Sequence, residues 1–133
     1  MSGDLCAKLG IRTGSKVCLI RPNPATLAGL KKCAGQAELI ADGVGDDCDV
    51  ILYWYDPEED VYQTMLKLQD RIKTDGRIWV IIPKKEVAKK RHLAIDWNEM
   101  QKAILKTPLV DNKIASINDE EYGTQFVVRR EFR

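Results

Sequence analysis

Apolar runs short enough to be strands alternate along this chain with segments that open on helix-start signals, and no other feature narrows the fold as far. Val17-Cys18-Leu19-Ile20 predicts a strand over 16–21, and the nearly unbroken apolar stretch at 49–54 predicts one buried on both faces, as parallel strands are. A further strand over 77–82 carries Ile78-Trp79-Val80-Ile81-Ile82 and stops at Pro83, while 37–41 forms a shorter one. The first strand is followed by Asn23-Pro24, an Asn that can accept from free amides as a cap and a Pro suited to the first helical position. That helix runs through Leu27, Leu30 and Ala34 to Gly35. Asp56-Pro57 repeats the signal ahead of a core stripe at Val61, Met65, Leu68 and Ile72, ending at Thr74-Asp75-Gly76. Asp96-Trp97-Asn98-Glu99 reads as a capping box, with Met100, Ala103 and Ile104 on the inner face of its helix. A short helix over 4–9, stopped by Gly10, precedes all of these.

Strand–helix alternation implies a parallel sheet, because each right-handed crossover returns the chain over the same sheet. The end of the chain breaks the pattern. Extended segments at 113–117 and 124–130 joined by a polar turn at 118–123 predict an antiparallel hairpin. The expectation is one three-layer α/β domain over 1–133, with four parallel strands and a C-terminal hairpin.

Composition and reactive residues restrict the chemistry. Hydrophobic residues at 44% and charged residues at 31% exclude a disordered or fibrous chain. No run approaches the roughly 18 apolar residues of a membrane span, and the first residues lack an apolar signal core, so a cytoplasmic protein is expected. A net charge of +1 favours neither nucleic acid nor membrane. Cys6, Cys18, Cys33 and Cys48 form no C-x-x-C pair, so no metal site and no disulfide framework is expected, and Cys18 reads as a small core hydrophobe. His92, the only histidine, follows the basic run 84–91, which reads as a solvated loop and a poor support for a catalytic base. No catalytic residue is assigned.

Lys8-Leu9-Gly10-Ile11, Asp49-Val50-Ile51-Leu52, Gly76-Arg77-Ile78-Trp79-Val80 with Pro83-Lys84-Lys85, Leu109-Val110-Asp111-Asn112-Lys113 and Phe126-Val127-Val128-Arg129-Arg130 occur in this order and spacing. Together they resemble a small prokaryotic family, domain of unknown function 3052. Where that pattern has a Trp-Ser pair, this chain has Tyr122-Gly123. The stretches 8–17 and 68–85 also resemble the first-strand entry and a later helix–turn–strand of class I S-adenosylmethionine-dependent methyltransferases. That likeness implies a Rossmann-like, methyltransferase-like sheet, and the family likeness implies no activity. In the methyltransferases a glycine-rich turn after the first strand lets backbone approach the cofactor. Here Arg21-Pro22-Asn23-Pro24 stands there without a glycine, and no Asn-Pro-Pro-Tyr motif follows the third strand, where Tyr53-Trp54-Tyr55-Asp56 lies instead. The likeness gives Asp42 the place of the acid that holds the ribose. S-adenosylmethionine is therefore disfavoured and no cofactor is expected.

Ligands of open parallel sheets lie beyond the carboxyl ends of the strands, where strand order reverses. The residues expected to border that crevice are Arg21, Asn23, Asp42, Trp54, Tyr55 and Asp56, with Lys84 and Lys85 close by. Arg21 and the helix start at Asn23 suit an anion, and an aromatic ring suits a base or sugar. The preferred expectation is a non-catalytic domain that binds an anionic small molecule or a protein. The alternative is a small methyltransferase or another enzyme acting on an anionic nucleotide-like ligand. Nucleic acid is disfavoured because no recognition motif surrounds the basic run, and pairing of protomers through a sheet edge is left open.

Overall fold

The computed structural model describes residues 3–41 and 45–133. Helix α1 (Gly3–Leu9) ends where Gly10 turns left-handed at φ +78°, and the amides of Gly10 and Ile11 return to the carbonyls of Ala7 and Cys6. A Cβ on Gly10 would meet only the movable end of the Arg77 side chain, so it is the left-handed φ that calls for glycine at this turn. Strand β1 (Lys16–Ile20) then enters the sheet, anchored by the Asp49 carboxylate, which accepts the Lys16 amide at 2.8 Å and pairs with Lys73 at 3.1 Å. Burial works to raise the pKa of Asp49, yet the Lys16 amide and the Lys73 ammonium hold this carboxyl below its ordinary value.

Helix α2 (Pro24–Cys33) starts as expected, with Asn23 accepting the amides of Ala25 and Thr26. Strands β2 (Glu38–Ile40) and β3 (Cys48–Trp54) follow. The next helix, α3 (Val61–Gln69), does not open at Asp56-Pro57. Asp56 instead closes a turn onto the Glu58 amide, and Asp60 caps the helix by accepting from Gln63. Asp60 stands directly before the stripe Val61, Met65 and Leu68, so starting there buries the same face and leaves Glu59 free to turn elsewhere.

Strand β4 (Ile72–Pro83) is twice as long as expected: Ile72 pairs with Cys48, and 74–76 bulge out rather than turn. Gly76 permits the bulge, since a Cβ there would lie 3.0 Å from the carbonyls of Cys48 and Lys73. The basic run is not a loop either, because Lys85–Lys90 forms helix α4. His92, exposed at φ +55°, ends it: the His92 amide donates to Lys89 and the Leu93 amide to Ala88. Helix α5 (Trp97–Leu105) is capped by Asp96, and β5 (Leu109–Ser116) with β6 (Glu121–Val128) makes a longer hairpin than expected.

Among the described residues the six strands form one sheet in the order β2-β1-β3-β4-β6-β5, parallel except at the β4–β6 and β6–β5 pairs. This is the expected mostly parallel α/β sheet with an antiparallel hairpin. Side chains alternate between two cores. Val17, Leu19, Leu52 and Trp79 pack under α1 and α2, whereas Ile51, Tyr53, Val80 and Phe126 pack under α3 and α5. Cys6 and Cys33 are joined by a disulfide that staples α1 to α2, contrary to expectation. The two helices share one sheet face, which brings together cysteines 27 residues apart in sequence, a proximity their spacing conceals. Cys18 and Cys48 are free and buried.

Candidate functional site

Strand order reverses between β1 and β3, so the crevice lies beyond Ile20 and Trp54. Arg21 opens it, in the left-handed region at φ +56°. For a residue with a side chain this conformation costs about 1 kcal/mol, and the contacts of the guanidinium show what offsets it. Nη2 donates to the Trp54 carbonyl at 2.8 Å and to Glu59 Oε1 at 2.5 Å, while the group stands 5.5 Å from the centre of the Tyr53 ring. The Tyr53 hydroxyl donates to the same Glu59 oxygen at 2.9 Å. Burial first, and then the Glu59 carboxylate, push the Tyr53 hydroxyl far above its ordinary value.

A second carboxylate closes the opposite side. Glu121 is 6% exposed, and its Oε1 accepts from Trp54 Nε1 at 3.2 Å, Asn118 Nδ2 at 2.8 Å and Asn23 Nδ2 at 3.4 Å. Asn118 also donates to the Thr26 hydroxyl at 2.9 Å, tying the β5–β6 turn to the first turn of α2. In both hubs a single carboxylate oxygen, Oε1, gathers the protein's own donors.

Arg21, Asn23 and Trp54 thus come together as expected, but Trp54 is core: its ring packs under α1 and α2 and only its indole N–H turns to the crevice edge. Tyr55 is half-buried with its ring edge-on to Tyr53 at 6.4 Å, and burial, then Asp56 and Glu59, push its hydroxyl up. The Asp56 carboxylate is occupied by the Glu58 amide. Lys84 precedes α4 and donates its amide to the Glu120 carbonyl. Lys85 is separated from the others and lines a different cavity. Asp42 lies outside the described residues. The two residues that organise the crevice, Glu59 and Glu121, were not singled out from sequence. Glu59 carries the weak signal of an acid between two cap candidates, and Glu121 none beyond its place in a polar turn.

Two cavities flank this closed region. One of about 300 Å³ is lined by Leu5, Asn23, Thr26, Ile117 and Glu120. The other, about 560 Å³, opens beyond β4 between α4 and α5. Among the described residues no three His, Cys, Asp or Glu side chains gather as a metal-binding group, and no helix is long and apolar enough to cross a membrane.

The fold is that of the class I methyltransferases. Similar solved structures include an S-adenosylmethionine-dependent methyltransferase from Aquifex aeolicus, with a TM-score of 0.73 at 12% identity over 96% of this chain and 89% of that one. The Methanococcus jannaschii fibrillarin pre-rRNA processing protein gives 0.65 at 11% identity, covering 89% and 68%. A TehB-like S-adenosylmethionine-dependent methyltransferase from Corynebacterium glutamicum gives 0.58 at 11%, covering 96% and 87%. At such identities the likeness is one of fold alone. The chain belongs to the family described as protein of unknown function (DUF3052), whose model matches residues 25–130. No curated protein matches it.

Proposed function

We propose that this chain is a non-catalytic binding domain that keeps the methyltransferase fold and uses the cofactor crevice as structure. One observation carries the reading: the polar groups at the switch point are paired with one another through Glu59 and Glu121. The residues present do not fit S-adenosylmethionine as this fold usually holds it. Pro22 and Pro24 supply no amide donors, and the Arg21 guanidinium lies across the turn where glycine would admit the ligand. Opening the crevice would strip Tyr53, Trp54 and Asn118 of their acceptors, a cost a ligand must offset before it gains anything.

The test is a thermal-shift titration with S-adenosylmethionine and S-adenosylhomocysteine, with ATP, GTP and NAD beside them. A ligand at one hundred times its Kd stabilises a folded protein by about 2.7 kcal/mol, so micromolar binding is visible. The expected result is no saturable shift with either adenosyl ligand. A saturable shift that Arg21→Ala abolishes would overturn the reading and restore an enzyme at the crevice.

A further inference from the structure

The 560 Å³ cavity is built unlike the crevice. Ile82, Pro83, Ala88 and Ile95 make its floor and sides, Trp97 and Tyr122 add two aromatic rings, and Lys85 stands at its edge. Three of its polar side chains, Lys85, Trp97 and Tyr122, have no partner among the described residues. Of the three tryptophans, Trp54 donates its indole N–H to Glu121 and Trp79 donates to the Leu9 carbonyl. Trp97 donates to no group among the described residues, and neither does the Tyr122 hydroxyl, although Tyr53 does. Lys85 makes no ion pair among the described residues. The one carboxylate in the lining, Asp96, accepts the Glu99 amide at 3.1 Å and is turned to the start of α5.

The wall that carries Lys85 is held in place. The Glu120 carbonyl accepts the Lys84 amide at 2.8 Å before α4, and the Glu120 carboxylate meets Arg91 at 2.6 Å after it. The Leu93 amide closes the helix end onto Ala88. A preformed, largely apolar cavity of several hundred Å³ with a few convergent polar groups is what small-molecule sites have in common. Aromatic walls favour a flat ligand, the apolar floor a hydrophobic one, and an unpaired ammonium with two free donors favours an anionic acceptor group.

From this we infer that the cavity between α4, α5 and the end of β4 binds a flat, apolar small molecule bearing one carboxylate, with Lys85 as its counter-ion. The site is separate from the crevice at Arg21, and stands whether or not an adenosyl ligand enters there. The experiment is isothermal titration calorimetry at pH 7 with 2-naphthoate, 2-naphthylmethanol and 2-naphthylmethylamine as probes. The expected result is saturable 1:1 binding of 2-naphthoate at least tenfold tighter than either of the other two. Lys85→Met should reduce that preference to less than threefold, and Ala94→Trp, at an exposed lining position, should abolish binding while circular dichroism shows the fold unchanged. Ala88→Trp provides a second occlusion from the α4 side. Absence of saturable naphthoate binding, equal or tighter binding of the alcohol or the amine, or binding that survives both occluding variants would overturn the inference.

Discussion

The crevice at Arg21 and the cavity at Lys85 lie at the same carboxyl-end rim of one sheet, and they use polar side chains in opposite ways. At the crevice four donors converge on two carboxylates of the protein: Arg21 and Tyr53 on Glu59, Trp54 and Asn118 on Glu121. At the cavity Lys85, Trp97 and Tyr122 are left without partners among the described residues. Paired groups in a buried setting stabilise a fold and resist rearrangement, whereas unpaired groups around a preformed hollow contribute little to stability and much to recognition. Position on the fold therefore does not distinguish the two regions, whereas their hydrogen-bond partners do.

The sharpest way to break this comparison is to remove the buried hub. Glu121→Ala leaves the Trp54, Asn118 and Asn23 donors without their acceptor and should destabilise the protein by roughly 2–4 kcal/mol in urea unfolding. A loss below about 0.5 kcal/mol would mean that the crevice is not held by its own pairs.

Arg21 tests the other side with a smaller effect. Its side chain is 45% exposed, so its ion pair with Glu59 is a modest contributor and the carbonyl bond to Trp54 matters more. Arg21→Ala should cost about 1–2 kcal/mol, since it loses those bonds and keeps the left-handed strain. Arg21→Gly should cost about 1 kcal/mol less, because glycine adopts φ +56° freely. Equal losses in the two variants would show that the backbone there is unstrained.

Alkaline pH sharpens the picture further. A group whose value is raised by folding contributes stability that is complete below its unfolded value and is lost as pH rises past it. Burial and the neighbouring Cys18 push the Cys48 thiol from 9.0 up to about 12, so its contribution begins to fall above pH 9. Tyr53, raised from 10.0 by burial and Glu59, adds a second loss that begins above pH 10. Tyr53→Phe should reduce the second component, leaving the shares of Tyr55 and Tyr122, and leave the first unchanged, read as unfolding free energy against pH from 8 to 12. The smallest effect belongs to the cavity. Lys85→Met should change stability by less than about 0.5 kcal/mol, since Lys85 is exposed and unpaired among the described residues.

Much of this fold was legible because it rests on local chemistry. Asn23 and Asp96 cap the helices they were expected to cap, and the apolar runs became the central strands. Asp56-Pro57 misled because a second acid, Asp60, stood nearer the apolar stripe, and local signals alone do not rank two caps. The run 84–91 read as a loop because it lacks an apolar face. Its helix is fixed instead by Glu120, about thirty residues away along the chain. The crevice was legible only as a location. Glu59 meets Arg21 across 38 residues and Glu121 meets Trp54 across 67, and no spacing rule connects them. The Cys6–Cys33 bridge was hidden for the same reason.

The three tryptophan indole N–H groups report both regions in one spectrum. Trp54 sits at the crevice hub, Trp79 in the core and Trp97 in the cavity. In a proton–nitrogen NMR titration assigned with single Trp→Phe variants, the account predicts that 2-naphthoate moves the Trp97 signal alone and that S-adenosylhomocysteine moves none. A saturable shift of the Trp54 signal with S-adenosylhomocysteine would contradict it, because the crevice would then be a ligand site and not a closed part of the structure.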